Sequence, residues 1–289
     1  MDKLRIEKIK LITSMCIFGT IGIFVRYIPL PSSVIAFARG LVGMLFLLAV
    51  VFIKKTEISV EDIKRNLLWL ILSGTCLGMN WILLFESYRF TSVATSTLCY
   101  YLAPIIVILV SPLILKEKLT IRKGICTVVA LSGMVLVSGV LQTGMPEINE
   151  IKGILFGLGA AVLYACIMLI NKKIQDISAY DKTIVQLGIS AAVILPYCLL
   201  TEDVAALPFS GKVLFMLLFV GILHTGVTYF LYFGSMGHLK GQTVAIISYV
   251  DPVVAVLISV FVLREGMDIW GIIGAVLILG AALVSELKS

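Results

Sequence analysis

The sequence predicts an all-α integral membrane protein of ten transmembrane helices, arranged as two inverted five-helix repeats. Three observations carry this expectation: the composition, ten apolar runs of spanning length, and an internal repeat. Hydrophobic residues make up 60% of the 289-residue chain and charged residues 14%, against roughly 45–50% and about 25% in soluble domains. The mean hydropathy of +1.09 agrees. A soluble chain of this size has no way to hide so much apolar surface.

A helix that crosses a hydrocarbon core about 30 Å thick needs about 20 mainly apolar residues. Ten runs qualify: 10–28, 33–53, 67–87, 93–115, 121–141, 152–171, 183–201, 212–233, 241–262 and 268–286. They are continuous, without the period-two alternation of a membrane β-barrel. The first run follows a basic start and is long for a signal peptide. It leads to Pro29-Leu30-Pro31 with no small-residue cleavage site, so it reads as a retained helix. The six cysteines all fall inside the runs, without metal-site spacing, and read as small buried hydrophobes.

The net charge of +6 follows membrane topology. If the N-terminus is cytoplasmic, 17 of the 23 basic residues fall on the inner side, five on the outer side, and Arg39 lies within the second span. That asymmetry is the positive-inside rule, so both termini are expected in the cytoplasm. The basic surplus then needs no nucleic-acid partner.

Residues Phe85–Glu117 align without gaps on Phe233–Glu265 at a constant offset of 148. The register pairs Tyr101 with Tyr249, Pro104 with Pro252 and Glu117 with Glu265. Apolar matches between membrane helices carry little information, but shared prolines and a shared basic-acidic end carry more. The repeat divides the chain into units 1–145 and 146–289. Five spans per unit is an odd number, so the second copy enters the membrane upside down. Inverted repeats are the architecture of many secondary transporters, with a substrate site near the midplane between the halves.

With these residues in view, the chain resembles the EamA-type family of the drug/metabolite transporter superfamily along essentially its whole length. The run SYRFTSVATSTLCYYLAPIIVIL…LKEKLT, its echo YFGSMGHLKGQTVAIISYVDPVVAVL…LREGM, and Arg39 within AFARGLVGMLF carry the likeness. The chain departs from the family at Phe18-Gly19, where members often carry Trp-Gly, and at Glu86, a position that is often small. The resemblance implies ten helices and export of small metabolites, often amino acids or related compounds.

Pro104 and Pro252 fall near the middle of the fourth and ninth spans. Each removes a backbone donor, so the helix kinks or opens there, either to pack or to line a cavity. Asp251, immediately before Pro252, is an acid near the midplane, where charge costs about 3 kcal/mol on insertion scales. It reads as a proton-coupling group, a partner for a substrate amine, or a protonated acid bonded to the helix break. Arg39 lies about six residues inside the second span, roughly 9 Å deep. It is placed to bind a substrate carboxylate, to pair with Glu86, or to snorkel. His224, mid-way along the eighth span, joins a proton path or sits neutral between helices. Tyr101 and Tyr249 are further cavity candidates because they share a repeat position. Glycines in the fifth and tenth spans (Gly124, Gly133; Gly271, Gly274, Gly280) suit close helix packing or a homodimer face.

No phosphate-binding loop, catalytic triad, carboxylate pair, metal cluster or cofactor motif is present in plausible context, which argues against an enzyme. The expected protein is a multi-pass exporter of the inner membrane, moving a small molecule by alternating access with protons as a candidate coupling ion. A multidrug exporter differs only in cavity chemistry, and an importer shares the architecture. A receptor or scaffold fits the inverted repeat less well.

Overall fold

A computed structural model describes residues 3–90, 96, 99–137, 151–262 and 269–286. The elements are α1 (Lys3–Arg26), α2 (Ser32–Lys54), α3 (Val60–Phe90), α4 (Ala103–Ile114), α5 (Ile121–Val137), α6 (Ile151–Asn171) and α7 (Ala179–Thr201). They continue as α8 (Gly211–Met236), α9 (Gly241–Ile247), α10 (Val250–Phe261) and α11 (Ile269–Glu286). No strand occurs among the described residues. Six helices, α1, α2, α3, α6, α7 and α8, are long and apolar enough to cross a membrane.

The burial pattern is that of a lipid-soluble bundle. Phe52, Leu113 and Leu200 are more than 80% exposed, while Asn171, Gln186, Gln242 and His224 are completely buried. In water this arrangement would be unfavourable at both surfaces. In hydrocarbon the outer residues meet lipid, and the inner ones bond across helices. One such network joins Asn171 of α6 to Ser73 of α3 at 2.9 Å, with Gln186 of α7 donating to Asn171 at 3.1 Å. Asn80 of α3 donates to the Ala160 carbonyl of α6 at 2.6 Å.

The fourth and ninth expected spans are interrupted. The run 241–262 divides into α9 and α10 at a turn over Ser248 and Tyr249. In the run 93–115, a turn at Tyr101 and Leu102 precedes α4. Pro104 and Pro252 therefore do not kink intact helices. They stand in the first turns of new helices, where backbone N–H groups lack intrahelical partners in any case. The breaks match between the repeats to within one residue. The boundary near residue 145 and the 263–267 connection, with Glu265, lie outside the described residues.

Two further elements differ from the sequence expectation. Helix α3 starts at Val60 rather than near 67, because the Ser59 hydroxyl accepts from the Asp62 N–H at 3.2 Å and caps an early start. Helix α8 contains a π-helical stretch, Val220–Val227. The hydroxyls of Thr225 and Thr228 donate to the carbonyls of Val220 and Leu223, five residues back, which fits the wider π pitch.

The bundle packs α3 against α6 and α7, α2 against α7 and α8, α1 against α8 and α10, and α5 against α11. At the last contact, a Cβ on Gly133 would sit 2.7 Å from the Gly274 carbonyl, whereas Gly124 and Gly280 face open space. Close packing within the chain thus accounts for Gly133 and Gly274. Gly133→Ala is expected to lower stability by about 1–3 kcal/mol through overpacking. Gly124→Ala is expected to be neutral or to stabilise by up to about 1 kcal/mol through helix propensity. Thermal melting of both variants in one detergent reads the difference, and equal melting points would refute this account of the α5–α11 contact.

Candidate functional site

The two helix breaks face one another and are tied by their tyrosines. The Tyr249 hydroxyl donates to the Tyr101 carbonyl at 3.1 Å, and the Tyr101 hydroxyl donates to Asp251 Oδ2 at 3.1 Å. A side chain of the second repeat thus satisfies a carbonyl at the break in the first, and the first repeat's tyrosine answers the second repeat's acid. Asp251 lies in the first turn of α10, at the end where the helix dipole favours negative charge. Helix α1 closes tightly over this point: a Cβ on Gly19 would lie 2.6 Å from the Asp251 carbonyl oxygen. Only glycine allows that approach without displacement.

A continuous aromatic wall leads from this centre across the bundle. Tyr100 contacts Tyr101 edge-on at 5.8 Å and stacks on Tyr164 of α6 at 5.2 Å with an 8° interplanar angle. The Tyr164 and Tyr232 hydroxyls meet at 2.9 Å. Tyr232 and Tyr229 of α8 flank Phe18 of α1, at 5.9 and 5.0 Å, and Tyr229 meets Trp81 of α3 at 5.9 Å. Seven rings from α1, α3, α6, α8 and the fourth-span break thus form one surface.

Arg39 stands at the far end of this wall. Its guanidinium lies 5.1 Å from the Trp81 ring centroid, and its Nε donates to Thr225 Oγ1 at 3.1 Å. It is 9% exposed, so it does not snorkel. Nor does it pair with Glu86, which accepts instead from Arg89 at 2.9 Å and from the Tyr197 hydroxyl. Arg39 and Asp251 form no ion pair with each other among the described residues. The guanidinium keeps its remaining donors for another acceptor.

His224 neighbours Thr225 but faces away from the tyrosines. Its Nε2 lies 2.8 Å from Thr20 Oγ1, and its ring meets Phe24 and Phe219. The single Thr20 hydroxyl proton goes to the Ile17 carbonyl at 2.7 Å, which makes His224 Nε2 the donor. Nδ1 is then a buried acceptor without a partner. In this structure His224 joins α1 to α8 through Thr20. Of the sequence candidates, Tyr101, Tyr249, Asp251, Pro104 and Pro252 gather at the breaks, and Arg39 stands at the other end of the ring wall. Tyr164, Thr225 and Phe18 were not anticipated. No sequence rule separates a cavity tyrosine from a packed one, and Thr225 is turned toward Arg39 by a π stretch that no motif announces.

Comparison with known proteins points the same way. The EamA-like transporter family matches residues 6–139 and 151–286, one copy for each repeat. An uncharacterized transporter of Bacillus subtilis is 32% identical over 273 residues, covering 93% of this chain and 86% of that protein. An uncharacterized transporter of Archaeoglobus fulgidus is 25% identical over 98% of this chain and 97% of its own length. Mouse solute carrier family 35 member G1 is 26% identical over 92% of this chain and 74% of that protein. A solved crystal structure superposes with a TM-score of 0.85 at 18% identity, covering 97% of this chain and 96% of the other, which shows the shared fold. With two family units and a buried polar site at matched helix breaks, the chain belongs to the EamA-like transporter family.

Proposed function

We propose that this transporter is a secondary exporter of the inner membrane that carries amino acids or related small metabolites by alternating access and couples their movement to protons. In this reading the chain makes ten crossings as two inverted five-helix units, 1–145 and 146–289, with both termini in the cytoplasm. The observation that carries it is the crossed pair of breaks, where Tyr101 binds Asp251 and Tyr249 binds Tyr101. Two half-helices that meet at one point form a hinge that each half can rotate about.

The charges suit a zwitterion. Arg39 offers a planar donor set for a carboxylate. Asp251 offers an acceptor for an ammonium, and the ring wall between them suits an apolar or flat side chain. A proton that neutralises Asp251 would release the amine and remove a buried charge before the site turns over. A second reading, export of organic cations, draws on the same wall: aromatic rings around one acid attract a cation without a carboxylate.

Two variants separate these roles in proteoliposomes loaded with amino acids, amines and nucleosides. Asp251→Asn is expected to abolish the response of efflux to an imposed pH gradient. Gradient-sensitive efflux at the wild-type rate would sink the proton-coupling role. Arg39→Gln is expected to raise KM for a zwitterionic substrate about tenfold or more, the loss of one charge-assisted hydrogen bond. Unchanged KM for amino acids, with organic amines carried equally well, would instead favour the cation reading.

A further inference from the structure

At the lysine-rich end of the bundle, away from the central site, the second repeat lines a half-open cavity of about 400 Å³. Its walls are the α6–α7 connection (Lys172, Gln175, Asp176), the first turn of α7 (Lys182) and the end of α8 (Gly237, His238). Lys182 is 4% exposed. No side-chain or backbone acceptor among the described residues bonds its ammonium, which lines the cavity instead. An ammonium so largely buried and without a protein partner is disfavoured unless water or an anion in the cavity answers it, and an anion answers its charge as well as its hydrogen bonds.

The neighbouring groups do not supply one. Lys172 is occupied: its ammonium donates to the carbonyls of Met236, at 3.1 Å, and Leu239, closing the C-terminal end of α8. It repels Lys182 rather than relieving it. Asp176 shares the wall, but neither it nor Lys182 belongs to an ion pair among the described residues. His238 stands at the rim, with Nδ1 at 3.3 Å from the Gly234 carbonyl, which leaves Nε2 toward solvent. Lys182, the one remaining donor of Lys172, and His238 line one opening opposite the single carboxylate of Asp176, a set that suits a small oxyanion. The position at the helix ends is also the level at which lipid headgroups lie, and basic pockets between helices hold such groups.

We propose that Lys182, with Lys172 and His238 beside it, forms a binding site for a phosphate-class anion, supplied as an anionic phospholipid headgroup or as soluble phosphate. The site is separate from the transport pathway and stands whatever the carried substrate is.

The test is thermal melting of the purified full chain in a neutral detergent. It is titrated with short-chain phosphatidylglycerol, with inorganic phosphate at matched ionic strength against chloride, and with short-chain phosphatidylcholine. A saturable rise in Tm with phosphatidylglycerol alone identifies a lipid site, and an equal rise with inorganic phosphate identifies a soluble ligand. Either result supports the site if Lys182→Gln weakens the apparent affinity about tenfold or more while Lys182→Arg keeps it. Asp176→Asn is expected to tighten binding by removing a like charge. No saturable rise with either phosphate source, or the same affinity in Lys182→Gln, overturns the proposal. Should Lys182→Gln not fold, Asp176→Asn decides. If it lowers the melting point and leaves anion affinity unchanged, Lys182 pairs with Asp176 in solution and any anion binds outside this cavity, which overturns the proposal.

Discussion

A polypeptide in lipid has no water to bond its exposed amides and carbonyls, so a helix is interrupted only where the protein itself answers the freed groups. Everything central in this molecule follows from two such interruptions. The chain breaks at Tyr101–Leu102 and again at Ser248–Tyr249, and it answers them with each other. The Tyr249 hydroxyl supplies the donor for the Tyr101 carbonyl, and the Tyr101 hydroxyl supplies the donor for Asp251. Neither break would be tolerated on a lipid-facing surface, so the two repeats have to meet where they do.

That meeting also decides where charge is allowed. Asp251 is held at a helix N-terminus, under a tyrosine hydroxyl and against a glycine of α1 that gives it room. Arg39 is held across the bundle by an indole face and a threonine. A wall of rings stands between the two, and they form no ion pair with each other among the described residues. The π stretch in α8 serves this arrangement by directing Thr225 to Arg39 while His224 bonds to α1.

The lysine-rich end is built differently, from contacts that cross between the repeats. Glu117 accepts from the N–H groups of Gly241 and Gln242 at 2.7 and 3.2 Å, so an acid of the first repeat caps α9 of the second. Asn66 exchanges hydrogen bonds with Gln175, and Arg65 donates to the Asp176 carbonyl at 2.8 Å. At the opposite end Ser33 donates to Glu202 at 2.7 Å and the Tyr197 hydroxyl donates to Glu86. The basic-acidic pair that marks the repeat in sequence thus has a mechanical use at Glu117.

The amino-acid sequence by itself determined the membrane class, the repeat and the matched prolines, because these rest on composition, run length and register, which are local and countable. It also singled out Asp251, Arg39 and the Tyr101–Tyr249 pair, since buried charge in an apolar run and symmetry between repeats are both visible along a chain. Only the tertiary structure decided that the prolines start new helices, that Arg39 has an indole and a threonine rather than Glu86 as its neighbours, and that His224 is a link between helices. It alone brought Tyr164 and Phe18 to the ring wall and set Lys182 in the wall of a cavity. Each of these turns on which side of a helix meets which neighbour, and a rotation set by packing from several other helices leaves no trace in any one segment's sequence.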